Sequence, residues 1–270
     1  MPTLRTHDGV ELYYEVHGSG EPLVLLGGIM MSAASWAQHV PVLSRHVRLI
    51  LLDMRDQGRS GKMHGEYPLD IHVPDVIALL DKLGIDRAHI MGVSYGGQVA
   101  QLVARAHPDR VKTLILANVN HYITHLLAEI GKAWEVAAEL HDGERFFQLA
   151  VPFIYSRAFY ETHLEALHQR QAMFKSTLTR EWFDGFVRLC HSAMGFRMTK
   201  GDLGSLAMPT LLLAAEDDQL TSPRVMAEMY EAIPRAEFVC LPGAGHGACL
   251  ERPGDFMTVV IGFLAKHREM

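Results

Sequence analysis

The chain reads as an α/β fold: a mostly parallel, twisted sheet with helices on both faces and an all-helical cap inserted between two late strands. Three observations predict this. Short apolar runs recur with helical-period segments between them, and the runs are continuous rather than alternating, as strands buried on both faces require. One such run passes through a Gly-x-Ser-x-Gly turn directly into a helix. Between the apolar runs at residues 111–117 and 209–215 lies a long stretch of helical periodicity with no convincing strand.

Taken in order, Val10 to Val16 alternates and predicts an exposed early strand. Leu23 to Leu26 is a short apolar run that ends in Gly27-Gly28, and Trp36 to Leu43 predicts a helix. Val47 to Leu52 is a strand that ends at Asp53. Asp70 to Leu83 places Val73, Val76, Ile77, Leu80 and Leu83 at helical spacing and stops at Gly84. Arg87 to Met91 and Val111 to Ala117 read as buried strands, with a helix from Gly97 to Ala104 between them. The stretch that follows holds helical segments at Ile123 to Leu140, Glu144 to Ala150, Ser156 to Thr177 and Arg180 to Gly195. Pro209 to Ala215 and Glu237 to Leu241 then read as strands, and Pro223 to Ala232 and Gly254 to Lys266 as helices. This divides the chain into a core of residues 1–119 and 206–270 and a helical cap of residues 120–205. An insertion at the carboxyl ends of parallel strands is placed to act as a lid, because ligands of open α/β sheets bind there.

Composition bounds the function. The 270 residues are 49% hydrophobic and 21% charged, as in a globular enzyme with a sizeable core. A net charge of −6 argues against nucleic acid and polyanions as partners. No apolar run approaches a membrane span, and the first residues lack a signal-peptide pattern. Cys190, Cys240 and Cys249 form no C-x-x-C pair and fit a reducing compartment, so a cytoplasmic protein is expected.

The Gly92-Val93-Ser94-Tyr95-Gly96 turn carries the chemistry. Its strand–turn–helix context is that of a nucleophile elbow, in which the serine sits on a strained turn clear of the sheet. A Cβ at either glycine would collide with a neighbouring strand or helix. The serine also lies under a helix N-terminus, where backbone N–H groups favour an anion. Such a serine needs a base, and the base an orienting acid. The run Leu211 to Ala215 is followed by Glu216, Asp217 and Asp218, and the next strand by Pro242-Gly243-Ala244-Gly245-His246-Gly247. A histidine in a glycine-rich loop past a strand has no packing reason to be there, so His246 is the candidate base. The order Ser, acid, His along the chain is the one this elbow uses.

Over nearly its whole length, from Val10 to the last helix, the chain resembles the α/β-hydrolase superfamily. The likeness rests on the elbow, on Asp218-Gln219-Leu220-Thr221-Ser222-Pro223 and on Gly245-His246-Gly247 with the later Glu251-Arg252-Pro253. It implies the α/β-hydrolase fold, with Ser94 as nucleophile, His246 as base and Asp218, rather than Asp217, as the acid. It also implies an oxyanion hole made by the backbone N–H groups of Ile29 and Tyr95. Two positions depart from the family. Gly27-Gly28 stands where His-Gly is usual, and Asp53-Met54-Arg55-Asp56-Gln57-Gly58-Arg59-Ser60 has Asp56 in place of a glycine.

The expectation is a serine hydrolase of a small carboxylic ester or lactone, nearest in likeness to enol-lactonases and small carboxylesterases, with no cofactor or metal. Hydrolysis of a C–C bond or thioester, cofactor-free perhydrolase chemistry and a non-turnover ligand receptor use the same fold and stay open, as does a homo-oligomer. The aromatic-rich cap, with Ile29, Met30, Tyr95 and Leu220, predicts a small apolar pocket; Met30 and Leu220 are its substrate-contact candidates. His121 and His125 have i, i+4 spacing, but no glutamate base lies between them, which argues against a metalloprotease-like site. Cys249, in an apolar stretch near His246, is expected to serve packing.

Overall fold

The structure, a computed structural model, describes residues 2–268. Its sheet contains β1 (Thr3–Arg5), β2 (Glu11–His17), β3 (Pro22–Leu26), β4 (Arg48–Leu52), β5 (Ala88–Val93), β6 (Val111–Ala117), β7 (Thr210–Ala215) and β8 (Ala236–Leu241). The spatial order is β1-β2-β4-β3-β5-β6-β7-β8. β2 is antiparallel to β1 and β4, and the strands from β4 to β8 are parallel. From β3 the chain moves outward to β4, and from β5 it moves the other way to β6. The carboxyl ends of β3 and β5 therefore flank the crevice where such sheets bind ligands.

The helices are α1 (Val40–Leu43), α2 (His72–Lys82), α3 (Tyr95–Ala106), α4 (His125–Glu139), α5 (Gly143–Ala150), α6 (Arg157–Thr177), α7 (Arg180–Ala193), α8 (Lys200–Gly204), α9 (Pro223–Ala232), α10 (Ala248–Glu251) and α11 (Pro253–Lys266). Successive strand residues feed opposite faces of the sheet. Val24, Ile50, Leu116 and Leu212 pack on one face with α2, α3 and α9. Leu25, Leu51, Ile115 and Leu213 pack on the other with α1 and α11. This two-sided burial explains why these strands read as unbroken apolar runs. Truncating any one of these leucines or isoleucines to alanine costs about 2–5 kcal/mol.

The helix expected from Trp36 to Leu43 is not continuous. A single 3₁₀ turn spans Ala33–Trp36 and α1 one turn from Val40. Pro41 has no N–H to give to the carbonyl four residues back, so a helix begun at Trp36 cannot run through it. The short β1 had no reading of its own, and α8 opens on a capping box of Thr199 and Asp202 that the strand-centred reading passed over.

Helices α4 to α7 form the segment between β6 and β7, with their own aromatic core around Trp134, Phe146, Phe174, Phe183 and Phe186. Each begins on a side chain that accepts from a first-turn amide: Thr124, Asp142, Ser156 and Thr179. Each cap is worth about 1 kcal/mol. The insert is bound to the core on two sides. Ser156 donates to Glu251, and the Gly247 N–H donates to the Ile154 carbonyl at 2.9 Å. On the far side Arg188 of α7 donates to both carboxylate oxygens of Asp56, at 2.7 and 3.0 Å.

The geometry at Asp56 accounts for its departure from the family pattern. Its φ is 64°, in the left-handed region that a glycine would occupy without strain. In exchange its carboxylate, fully buried, also accepts from Tyr67 and the Met63 amide. Removing one partner of such a pair strands the other charge. Asp56→Asn should therefore lower the unfolding free energy by about 3 kcal/mol in urea titrations. Adding Arg188→Met to it should recover part of that loss.

Candidate active site

Ser94 joins β5 to α3 with φ 53° and ψ −119°. A non-glycine residue pays for that conformation, and here its surroundings fix it. A Cβ on Gly92 would sit 2.3 Å from the Gly96 carbonyl oxygen, and one on Gly96 would sit 2.2 Å from that of Leu26. No side chain fits at either position. The Ser94 N–H donates to the Ala117 carbonyl at 3.0 Å, and its own carbonyl accepts from Gly97 and Gln98.

His246 lies in the loop before α10. Its Nε2 is 2.8 Å from Ser94 Oγ, and its Nδ1 is 2.9 Å from Asp218 Oδ2. Asp218 follows β7 and is 5% exposed, whereas Asp217 points to solvent. Neighbouring side chains diverge, so only one of the two aspartates reaches the histidine. Asp218 is heavily hydrogen-bonded: Oδ1 accepts from the Leu220 and Thr221 amides, and Oδ2 from Thr221 Oγ1 and Asn118 Nδ2. Burial raises the carboxyl pKa, but the facing His246 and these donors outweigh it and hold Asp218 below its ordinary value. The imidazole is thus oriented with Nδ1 toward a carboxylate and Nε2 toward the serine. That arrangement can take a proton from Oγ. Asn118 and Thr221 were missed as supports. Asn118 sits at the end of β6 with φ 48°, a conformation asparagine tolerates, and its polar side chain after an apolar strand was the available signal.

The amides expected to hold an oxyanion lie on the two flanking strand ends. The Tyr95 N–H heads α3, and the Ile29 N–H lies in the turn that Met31 N–H closes on the Gly28 carbonyl. Neither amide has a protein acceptor among the described residues. The departure at Gly27-Gly28 is compensated here. A Cβ on Gly27 would lie 3.0 Å from Met31 Cβ, so Met31 occupies the space a side chain there would need. Gln57 instead holds the loop, its Nε2 donating to the Gly28 carbonyl at 2.9 Å.

A cavity of about 90 Å³ opens on Ser94 and His246. Its wall combines Ile29 and Met30 from the core with Trp134, Ile154, Tyr155, Arg170 and Phe174 from the insert. Leu220 is a correction: it is not in that wall but is buried in the aromatic core of the insert, and its contribution to the site is the amide bonded to Asp218. Cys249 reaches the cavity, but burial pushes its thiol up to about 12, so it stays protonated and poorly nucleophilic. His121 Nδ1 is 3.0 Å from the Met198 carbonyl, while His125 is exposed at the start of α4. Among the described residues no three metal-ligating side chains cluster around them. No helix among those residues is long and apolar enough to cross a membrane.

Behind the elbow, the Tyr95 hydroxyl is hydrogen-bonded to His72 Nε2 at 2.9 Å and to Ser192 of α7 at 2.8 Å. Burial pushes the His72 imidazole from 6.5 down to about 3, and the nearby Arg55 cation adds to the shift. Asp75 lies 3.9 Å from His72 Nδ1, beyond hydrogen-bond reach, and is already bound to Arg55. The unfolded chain therefore takes up a proton that the folded chain refuses. The resulting stability is complete above pH 6.5 and is lost as the pH falls toward 3, at about 1.4 kcal/mol per unit. Urea unfolding at pH 7 and pH 5 should show this: His72→Gln should shrink the wild-type difference by about 2 kcal/mol.

Comparison with known proteins places this site in context. The candidate carbamate hydrolase RutD of Azorhizobium caulinodans is 28% identical over 263 residues, covering 95% of this chain and 96% of that protein. An alpha/beta hydrolase enzyme from a Medee basin deep-sea metagenome library superposes with a TM-score of 0.94 at 33% identity, over 98% of this chain and 97% of the other. The enol-lactonase of Burkholderia xenovorans LB400 superposes with a TM-score of 0.87 at 25% identity, over 98% of this chain and all (100%) of the other. Residues 16–259 match the alpha/beta hydrolase family as a whole, and the chain belongs to that family.

Proposed function

We propose that this hydrolase cleaves a small carboxylic ester or lactone through an acyl-enzyme. The observation that carries the reading is the hydrogen-bond chain from Ser94 Oγ through His246 to Asp218, with links of 2.8 and 2.9 Å. His246 takes the Ser94 proton as Oγ attacks the carbonyl, then passes it to the leaving oxygen. The Asp218 carboxylate stabilises the imidazolium formed between those steps. The amides of Ile29 and Tyr95 receive the negative oxygen of the tetrahedral intermediate, and Gln57 keeps the first of them in place. Water, activated by His246, then releases the acid from Ser94.

The insert is read as a roof over this chemistry. Trp134, Tyr155 and Phe174 line the cavity on the side of the insert and limit its contact with water, which strengthens the electrostatics beneath. The cavity at Ser94 is small, about 90 Å³, and partly open, so it suits short acyl groups or small rings whose far end extends toward the mouth. A lactone fits such a space because its leaving alcohol stays attached to the acyl group.

Purified protein assayed on short p-nitrophenyl esters, small lactones, thioesters and methyl carbamates should turn over the first two classes best, with a burst on the nitrophenyl ester. Preferred turnover of carbamates or thioesters would move the substrate class and leave the triad standing. Ser94→Ala should lose on the order of 10⁴-fold in kcat, and a phosphonate ester should label Ser94 once. The two aspartates give a separate check. Asp218→Asn should cost several orders of magnitude in kcat by favouring the wrong imidazole tautomer. Asp217→Asn, in solvent, should stay within about threefold of wild type.

A further inference from the structure

One wall of the cavity carries a charge that the steps at Ser94 do not use. Arg170, on α6, lines it beside Tyr155 and Phe174. The guanidinium lies over both rings, 5.9 Å from the Tyr155 centroid and 6.0 Å from that of Phe174, and Nη1 donates to the Tyr155 hydroxyl at 2.6 Å. Among the described residues no partner of Arg170 is acidic. Glu251, which follows the cavity residue Leu250, turns its carboxylate to Ser156 and the Gly245 amide instead.

The donor count on this wall is unbalanced. A guanidinium offers five N–H donors in a planar fork, and Tyr155 takes one. By accepting that bond, the phenol keeps its own proton free for a second partner. Burial outweighs the nearby Arg170 and holds the Tyr155 pKa up, so that proton stays in place. The rest of the wall is largely apolar, with Ile29, Met30, Val151 and Ile154 offering no side-chain acceptor. Water or an anion from outside completes such donors, and of the anions a planar carboxylate matches the guanidinium fork. The wall is also close to the reacting centre. A Cβ on Gly247 would lie 2.9 Å from Tyr155 Cε1, so the tyrosine ring packs against the residue next to His246.

We propose that Arg170, with the Tyr155 hydroxyl, binds a carboxylate carried by the substrate, so that the preferred ester or lactone is that of a short acid bearing a second, free carboxylate. This rests on the ester reading above and narrows it. The spacer between the carboxylate and the scissile carbonyl is short, because Arg170 and Ser94 line the same small cavity.

Monoethyl glutarate and diethyl glutarate test this directly, since they differ in one charge. Wild-type protein should favour the monoester in kcat/KM by on the order of tenfold or more, mainly through KM. Arg170→Met should collapse that ratio, Arg170→Lys should keep part of it, and Arg170→Glu should invert it. Because the readout is a ratio within one variant, partial loss of folded protein cancels. Turnover of both esters with no wild-type preference, or a ratio unchanged in Arg170→Met, overturns the carboxylate site and leaves the ester reading intact. If neither ester is cleaved, calorimetric titration with glutarate decides. Binding by wild type that is lost in Arg170→Met keeps the carboxylate site and sinks the ester reading, while absence of binding by wild type overturns the site.

Discussion

Ser94 holds a backbone conformation that costs a non-glycine residue about 1–3 kcal/mol in isolation, and the position of every other reactive group depends on it. The turn can be this tight because two successive close approaches, at Gly92 and Gly96, leave no room for side chains. It can be this rigid because β5 is paired on both edges, with β3 and β6. Relaxing the serine to an ordinary helical or extended conformation would carry Oγ away from His246. It would also swing the Tyr95 amide out of the mouth of the crevice and disturb the start of α3. The energy comes from the buried sheet, which is why Ser94 sits on its interior strands rather than on the half-exposed edge strand β8.

The segment from Asp53 to Ser60 makes a second set of constraints consistent with the first. Asp53 accepts from the amides of Ala33 and Arg59, fixing the chain that leaves the β3 end. Arg55, fully buried, is paired with Asp75 of α2 and Asp8. Asp56 ties down α7, and Gln57 reaches the carbonyl of Gly28. Four side chains within five residues thus connect the loop at Gly28 and Ile29, a helix on the sheet and the insert. The two departures from the family pattern are resolved within this neighbourhood: Asp56 anchors α7, and Gln57 braces the loop at Gly27, whose side-chain space Met31 fills.

What could be read from the sequence follows from how local each signal is. The strands β3 to β7 and the elbow were legible because two-sided burial writes continuous apolar runs and a steric limit writes the glycines. His246 and Asp218 were legible from chain order and strand-end position, together with family likeness. The helix expected at Trp36 is interrupted because Pro41 has no N–H to continue it. Thr221 and Gln57 act through one short hydroxyl or through contacts with residues far away in the chain, so nothing in their local pattern marks them, and Asn118 is marked only as a polar residue ending an apolar strand. Arg170 was invisible for the same reason: on a polar helix an arginine looks solvated until the fold turns it toward a cavity.

The helical insert also bears on how the sheet assembles. β6 and β7 pair although all of residues 118–209 lie between them, which would make this a late and slow contact if the intervening chain were loose. The two ends of the insert are instead fastened to each other. Tyr122 bridges Arg197, Ile123 N–H donates to the Phe196 carbonyl, and Met198 N–H donates to that of His121. With this stem closed, the entropy of bringing the ends together is met inside the insert by its own aromatic core, and the remaining gap before β7 is short. The pairing of β6 and β7 then depends on the stem, while Arg188 on Asp56 and Ser156 on Glu251 tie the rest of the insert to the core. Helices could be lengthened or shortened above residues 123 and 196 while β6 and β7 keep their register, provided that the partners of Asp56, Tyr95 and Glu251 are kept, so much of the chain that shapes the pocket can change without renegotiating the part that holds Ser94.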